Sequence, residues 1–206
     1  MTFTRIDIAL KPSREVTTEA LRLSKEIDQE AGAYFVLDAI NYFPHVTLYS
    51  TEYPEKNLND IFEVANTIAM STPSFTATFT TSYSHRGYID ISIKKTQELE
   101  MLHENIVNKL NPFRENHLRE KYTSPTELAG YSLQQQKYIQ NYGYSEVFDA
   151  FRPHLTIARL KHETLAKVIT QKLNFSPESF PATTIAAYSM GSHGTCTKIL
   201  KEFPLQ

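Results

Sequence analysis

Two stretches of the chain set an imidazole beside a hydroxyl: Phe43-Pro44-His45-Val46-Thr47-Leu48-Tyr49 and Phe151-Arg152-Pro153-His154-Leu155-Thr156-Ile157. Each reads Pro-His-aliphatic-Thr-aliphatic. Multiplying the frequencies of Pro, His and Thr gives roughly 0.04 expected copies of Pro-His-x-Thr in a chain of this length, so two copies are not a chance of composition. On a strand, residues i and i+2 point to the same face. His45 and Thr47 then share one face, and Val46 and Leu48 the other; His154 and Thr156 repeat this against Leu155 and Ile157.

Two imidazoles that titrate near neutral pH, facing one cleft, can act as base and acid in a single displacement. One takes a proton from the attacking oxygen; the other delivers one to the leaving oxygen. The threonine hydroxyls can donate to non-bridging phosphoryl oxygens. This set suits phosphodiester cleavage, with water or a neighbouring 2′-hydroxyl as attacker. Ester or amide hydrolysis fits less well, because no serine or cysteine nucleophile marks either histidine. No His-x-x-x-His pair or acidic cluster points to a metal, and neither metal nor cofactor is expected.

The elements that must carry these groups follow from periodicity. Thr2–Leu10 alternates, with Ile6, Ile8 and Leu10 opposite Arg5 and Asp7, as a half-buried strand does. A helix opens at Pro12-Ser13 and closes at Gly32. Tyr34–Leu37 reads as a short strand, then the first His-Thr strand. A helix over about Leu58–Met70 ends before Pro73. Phe75–Tyr83 and Tyr88–Ile93 form a hairpin around Ser84-His85-Arg86-Gly87. A helix runs over about Thr96–Leu110. The stretch 111–143 is polar, broken by Pro112 and Pro125, with a helix over Thr126–Asn141; it reads as an insertion covering one side of the cleft. After the second His-Thr strand come a helix over His162–Leu173 and a closing hairpin, Thr183–Met190 with Thr197–Phe203. Each His-Thr strand is followed by a helix and a hairpin, which suggests two similar halves. The expectation is one bilobal α+β domain over residues 1–206, with two small sheets facing a cleft.

The 206 residues are 41% hydrophobic and 21% charged, with a net charge of −2. That argues against a large duplex-binding surface and, for an anionic ligand, in favour of a small or single-stranded one, with room left for a local basic patch in a cleft. One cysteine, Cys196, rules out an internal disulfide and Cys-x-x-Cys zinc sites. The opening residues lack a signal-peptide core and no stretch is long enough to span a membrane. A cytoplasmic, monomeric protein without membrane contact is expected.

The paired tetrads resemble those of the 2H phosphoesterase superfamily, which includes the LigT-like 2′-5′ RNA ligase and cyclic phosphodiesterase proteins. The element order is similar too. Arg5-Ile6-Asp7-Ile8-Ala9-Leu10 is similar to that family's opening strand, though an aromatic is commoner where Asp7 stands. Phe151–Arg159 closely matches its second motif, and Tyr188-Ser189 with Gly194 resembles its closing hairpin. The resemblance implies a bilobal α+β fold with a pseudo-two-fold axis, its antiparallel or mixed sheets facing a central cleft with helices outside. It implies metal-independent cleavage of 2′,3′-cyclic or 2′-5′ phosphodiesters in nucleotides or RNA ends. His45 and His154 then become the acid/base pair, and Thr47 and Thr156 the phosphate ligands. Which histidine is the base stays open. A nucleotide- or RNA-end-binding module without turnover, and a phosphonate-metabolism branch with an unknown small phosphoester substrate, are alternatives.

Secondary candidates lie around the motifs. Tyr42, Phe43, Tyr49 and Tyr88 are placed to stack a base or pack the core. Tyr131, Tyr138, Tyr142 and Tyr144 could wall the cleft. Arg152 is a candidate phosphate partner, or a surface ion pair. Arg5 and Asp7 share a face toward the cleft, or pair with each other. His85, His103, His117, His162 and His193 are expected to be solvated.

Overall fold

The computed structural model describes residues 2–206. Strand β1 (Phe3–Leu10) is not the half-buried strand its alternation suggests: Ile6, Ile8 and Leu10 are fully buried on one face, and Asp7 and Ala9 are fully buried on the other. Helix α1 (Arg14–Ala31) starts where the Ser13 hydroxyl accepts from the Val16 N–H, and it buries Val16, Ala20, Leu23 and Ile27 on one stripe. That spacing is the apolar face of a surface helix. Gly32 ends it at φ 66°, a conformation that favours glycine.

The expected strand at Tyr34–Leu37 does not form. The chain bends at Tyr34 after a single bridge, Ala33 to Leu160, and the Leu37 N–H is taken by the Ser24 hydroxyl at 3.0 Å. The first His-Thr strand comes next as β2 (Val46–Pro54), then α2 (Leu58–Met70). Strands β3 (Phe75–His85) and β4 (Tyr88–Ile93) are joined by only Arg86 and Gly87, at φ 50° and 82°. Two successive left-handed residues make the tight turn that suits the strand twist. Helix α3 (Gln97–Leu110) is capped by Thr96.

The helix expected over Thr126–Asn141 splits in two, α4 (Pro125–Leu128) and α5 (Leu133–Tyr142). Gly130 interrupts the run, and Ser132 with Gln135 forms a capping box that starts a second helix. The second His-Thr strand is β5 (His154–Arg159), followed by α6 (Glu163–Lys172), β6 (Ser179–Ala182), β7 (Thr184–Met190) and β8 (Cys196–Pro204). Strand β6, with two prolines near it and only four residues, carries no alternation long enough to mark it in the sequence. No helix of the described residues is long and apolar enough to cross a membrane.

The strands form two four-stranded sheets, ordered β2-β1-β7-β8 and β5-β4-β3-β6. Every pairing is antiparallel, so neither sheet is mixed. The halves are also not consecutive in sequence. The hairpin β3–β4, which follows the first motif, pairs with the second motif's strand; the closing hairpin β7–β8 returns to β1 and the first motif. The helices interleave likewise: α2 and α3 pack on the first sheet, α1 and α6 on the second. One apolar cluster, from Ile6 and Leu48 to Ile89 and Ile157, runs through both halves.

His103 ties the halves together. It is 1% exposed, and its Nδ1 donates to the Leu48 carbonyl at 2.7 Å while its Nε2 accepts from the Phe148 N–H at 2.9 Å. Its ring stacks on Phe151 at 3.8 Å. Leu48 and Phe151 belong to the two opposite motifs. Burial depresses the His103 pKa to about 4. This buried neutral ring replaces the solvated side chain expected from sequence. His103→Leu should cost about 2–3 kcal/mol, since it orphans a buried carbonyl and a buried N–H; urea unfolding of the variant checks this.

Candidate active site

Each histidine is oriented by the peptide two residues before it. His45 Nδ1 donates to the Phe43 carbonyl at 2.8 Å, and His154 Nδ1 to the Arg152 carbonyl at 2.7 Å. Pro44 and Pro153 intervene; proline has no N–H and holds the chain extended. The Nδ1–H bond fixes the tautomer, so each Nε2 carries the lone pair. Both rings line one cleft, together with Thr47 and Thr156.

Each threonine is held by a buried aspartate. Thr47 Oγ1 donates to Asp7 Oδ2 at 2.6 Å, and Thr156 Oγ1 to Asp90 Oδ1 at 2.7 Å. Asp7 is fully buried and Asp90 is 4% exposed. Among the described residues Asp7 makes no ion pair with Arg5; the His45 ring is its neighbour, with Nε2 3.7 Å from Oδ2. The sequence carries a signal for both acids, the matching Ile6-Asp7-Ile8 and Ile89-Asp90-Ile91, each a carboxylate amid aliphatics on a strand. Asp90 was not among the sequence-level candidates.

A bulge in each motif strand re-aims the residues beyond it. Across β1 and β2, Ile8 faces Tyr49 and Ala9 faces Thr47, leaving Leu48 as an extra residue. Across β4 and β5, Ile89 faces Ala158 and Asp90 faces Thr156, leaving Ile157 extra. The bulges thus sit at matching places, one residue past each threonine. The aspartates do not match: Asp90 lies directly opposite its threonine, whereas Asp7 lies two residues from Ala9, the residue opposite Thr47.

The first bulge explains why Tyr49 leaves the cleft. Simple alternation puts Tyr49 beside Thr47, but the extra residue turns it into the core. It is fully buried, and its hydroxyl donates to the Tyr142 carbonyl at 2.6 Å. Tyr49 therefore anchors the 111–143 segment. Arg114 holds the same segment, donating to the carbonyls of His117 and Asn141. Tyr42 also lies off the cleft, packed on Phe35, and Phe43 packs on Tyr188. Tyr138 and Tyr142 pack around Phe148 instead.

Tyr88, Tyr131, Tyr144, Arg5 and Arg152 do line the cleft. The Tyr88 hydroxyl donates to the His193 carbonyl at 3.1 Å, and Arg152 is paired with Glu146. Sequence reasoning missed Tyr83, Arg119, Lys121 and Tyr122, which line it too. Tyr83 meets His154 edge-on, with centroids 6.3 Å apart. Arg119, Lys121 and Tyr122 come from the irregular 111–143 stretch, where no periodicity assigns a facing.

Of the remaining histidines, His193 stacks on Tyr34 at 4.4 Å, and His117 stacks on Phe3 and meets Glu52 at 3.0 Å. These are packed side chains rather than solvated ones, while His85 and His162 are exposed. The fold also draws Asp7, His45 and Cys196 together, with ligand atoms within 4.8 Å of one another. Their wide spacing hides this cluster from the sequence. Asp7 Oδ2 already accepts from Thr47 there, and the Cys196 thiol lies 3.7 Å from it.

Burial dominates the electrostatics. It pulls the His45 pKa down to about 4, with His154 and Arg5 adding to the fall. It pushes Asp7 up to about 7, against the Thr47 bond and the Arg5 charge. It raises Asp90 as well, against His154 and the Thr156 bond. Both shifts at the first motif favour neutral forms, so His45 and Asp7 lie side by side as an uncharged pair on the acid side of neutrality.

A family model described as the 2′-5′ RNA ligase superfamily matches residues 13–194. The chain belongs to this superfamily. As a member it has the LigT-like 2H phosphoesterase fold, two antiparallel four-stranded sheets with helices. Membership supports a phosphoesterase acting on nucleotides or RNA. Escherichia coli LigT in apo form superposes with a TM-score of 0.60 at 13% identity, covering 100% of this chain and 99% of that one. LigT complexed with 3′-AMP gives 0.61 at 17% identity over 100% and 99%. TT0787 of Thermus thermophilus gives 0.59 at 15% identity over 98% and 97%. No curated protein matches the sequence.

Proposed function

We propose that this superfamily member is a phosphodiesterase that cleaves 2′,3′-cyclic or 2′-5′ phosphodiesters of nucleotides or RNA ends, with His45 as general base and His154 as general acid. The observation that carries it is the convergence of two tautomer-fixed imidazoles and two threonine hydroxyls on one cleft. The nucleotide class is supported by the 3′-AMP bound to LigT, a protein of the same fold.

In hydrolysis of a 2′,3′-cyclic phosphate, His45 Nε2 takes a proton from water as its oxygen bonds to phosphorus. The bond from phosphorus to one ribose oxygen breaks, and His154, entering the step as the imidazolium with Nδ1–H still on the Arg152 carbonyl, gives its Nε2 proton to that oxygen. His45 suits the base role because burial keeps it unprotonated; His154 is the more exposed ring. Proton return between the rings or through solvent resets the pair.

The buried aspartates explain how a threonine can serve a phosphate. A hydroxyl has one proton, and Thr47 and Thr156 give theirs to Asp7 and Asp90. A carboxyl whose pKa is raised can itself become the donor. With an anion in the cleft, a protonated Asp7 or Asp90 donates to the threonine oxygen and the threonine proton turns to a phosphoryl oxygen. That places donors where charge builds up in the transition state.

A panel of 2′,3′-cyclic mononucleotides and 2′-5′ linked dinucleotides, incubated in EDTA and resolved by chromatography, tests the proposal. The expected result is turnover to one phosphomonoester regioisomer. Binding without product, unaltered by His45→Ala or His154→Ala, would favour a non-catalytic binding module.

A further inference from the structure

Arg5, Arg119 and Lys121 line the same cleft as the two histidines. Arg5 comes from β1; the other two come from the 111–143 segment that Tyr49 and Arg114 hold down. The three cations repel one another. Arg119 lowers the Arg5 pKa, and Arg119 and Arg5 both lower that of Lys121.

Compensation for these charges is incomplete: Asp7 and Glu127 act on Arg5 and Lys121 through space without contact, and Arg119 and Lys121 lie over the Tyr122 ring at 5.6 and 4.5 Å. Among the described residues neither Arg5 nor Lys121 forms an ion pair, and only Arg119 does, 3.3 Å from Glu52. Glu52 is shared with His117. Arg5 Nε is buried with no hydrogen-bond partner, and its Nη1 reaches only the Gly191 carbonyl, at 3.5 Å. A buried guanidinium N–H without a partner is costly unless something completes it. The histidine–threonine set already provides for the scissile phosphate, so this cluster is surplus to it. Arginine forks suit phosphoryl oxygens in particular.

We propose that Arg5, Arg119 and Lys121 form a second phosphate subsite, and that the substrate is a nucleotide carrying another phosphoryl group besides the scissile phosphodiester. This rests on the phosphodiesterase reading and narrows its substrate class. A 5′-phosphorylated nucleoside 2′,3′-cyclic phosphate, or one with a pyrophosphate, fits; an unphosphorylated cyclic nucleoside leaves the cluster empty.

Calorimetry with adenosine 3′-monophosphate and adenosine 3′,5′-bisphosphate tests the subsite without needing turnover. The wild-type protein should bind the bisphosphate roughly tenfold or more tightly, as one added charge-assisted contact allows. In an Arg119→Ala/Lys121→Ala variant this ratio should fall to about one, and in Lys121→Glu the preference should shrink or reverse. Measurable 3′-monophosphate binding shows that each variant is folded. Equal wild-type affinities, or a preference that survives the double substitution, would overturn the subsite while leaving the phosphodiesterase reading intact. Binding of neither nucleotide would overturn both.

Discussion

Alanine at His45 or His154 should lower kcat/KM for a 2′,3′-cyclic nucleotide by about 10²- to 10⁴-fold, the range for a lost general acid or base. The two losses have different signatures. Wild-type kcat/KM should fall as pH drops toward 4, where His45 takes up a proton and ceases to be a base. His45→Ala should abolish that acid limb. His154→Ala should preserve it. Because the pair acts in one step, the double variant should cost little more than the worse single one. A full pH–rate series on the three variants checks all of this. His154 makes one ring bond, to a carbonyl two residues away, and is partly exposed, so its loss should be catalytic far more than structural.

The second large effect is on stability, and its sign differs between two neighbouring residues. Burial raises Asp7 to about 7 from 3.8 and lowers His45 to about 4 from 6.5. Between about pH 4 and 7 the folded state holds a proton on Asp7 that the unfolded state has lost, so this group's contribution falls as pH rises. His45 is the reverse: the unfolded state binds the proton the folded ring refuses, so its contribution is present above pH 6.5 and lost as pH falls toward 4. In the wild-type protein the two slopes oppose each other and nearly cancel. Asp7→Asn should therefore gain stability relative to wild type as pH rises from 4 to 7. His45→Ala should lose stability relative to wild type as pH rises over the same span. Each tilt should be on the order of 3–4 kcal/mol across the window, from about three pKa units. Urea unfolding of the three proteins from pH 4 to 8 reads both; parallel curves would contradict the neutral-pair account.

What the sequence made legible divides along physical lines. The His-Thr strands, the amphipathic helices and both hairpins were readable because period 2 and period 3.6 are local properties. So was the family, since the tetrads are local too. Strand exchange between the halves was not, because nothing in β3 or β7 states which strand it will pair with. Tyr49 was misplaced because a single bulge opposite Ile8 and Ala9 inverts the facing of the residues after it. Asp90 could have been found, since Ile89-Asp90-Ile91 repeats the pattern around Asp7. The cationic wall could not: Arg119 and Lys121 sit in a run of short turns whose place depends on the buried Arg114 and on the Tyr49 hydroxyl.

Central to this account is that both histidines work on one phosphorus atom. Its most direct test is hydrolysis of adenosine 2′,3′-cyclic phosphate and its 5′-phosphorylated form in EDTA, by the wild-type protein and by His45→Ala/His154→Ala, with products separated as 2′- and 3′-phosphates. The wild-type protein should give a single regioisomer, and the double variant no product above the uncatalysed rate. Equal turnover by the two proteins, or tight binding of both nucleotides by the wild-type protein with no product after long incubation, would contradict it.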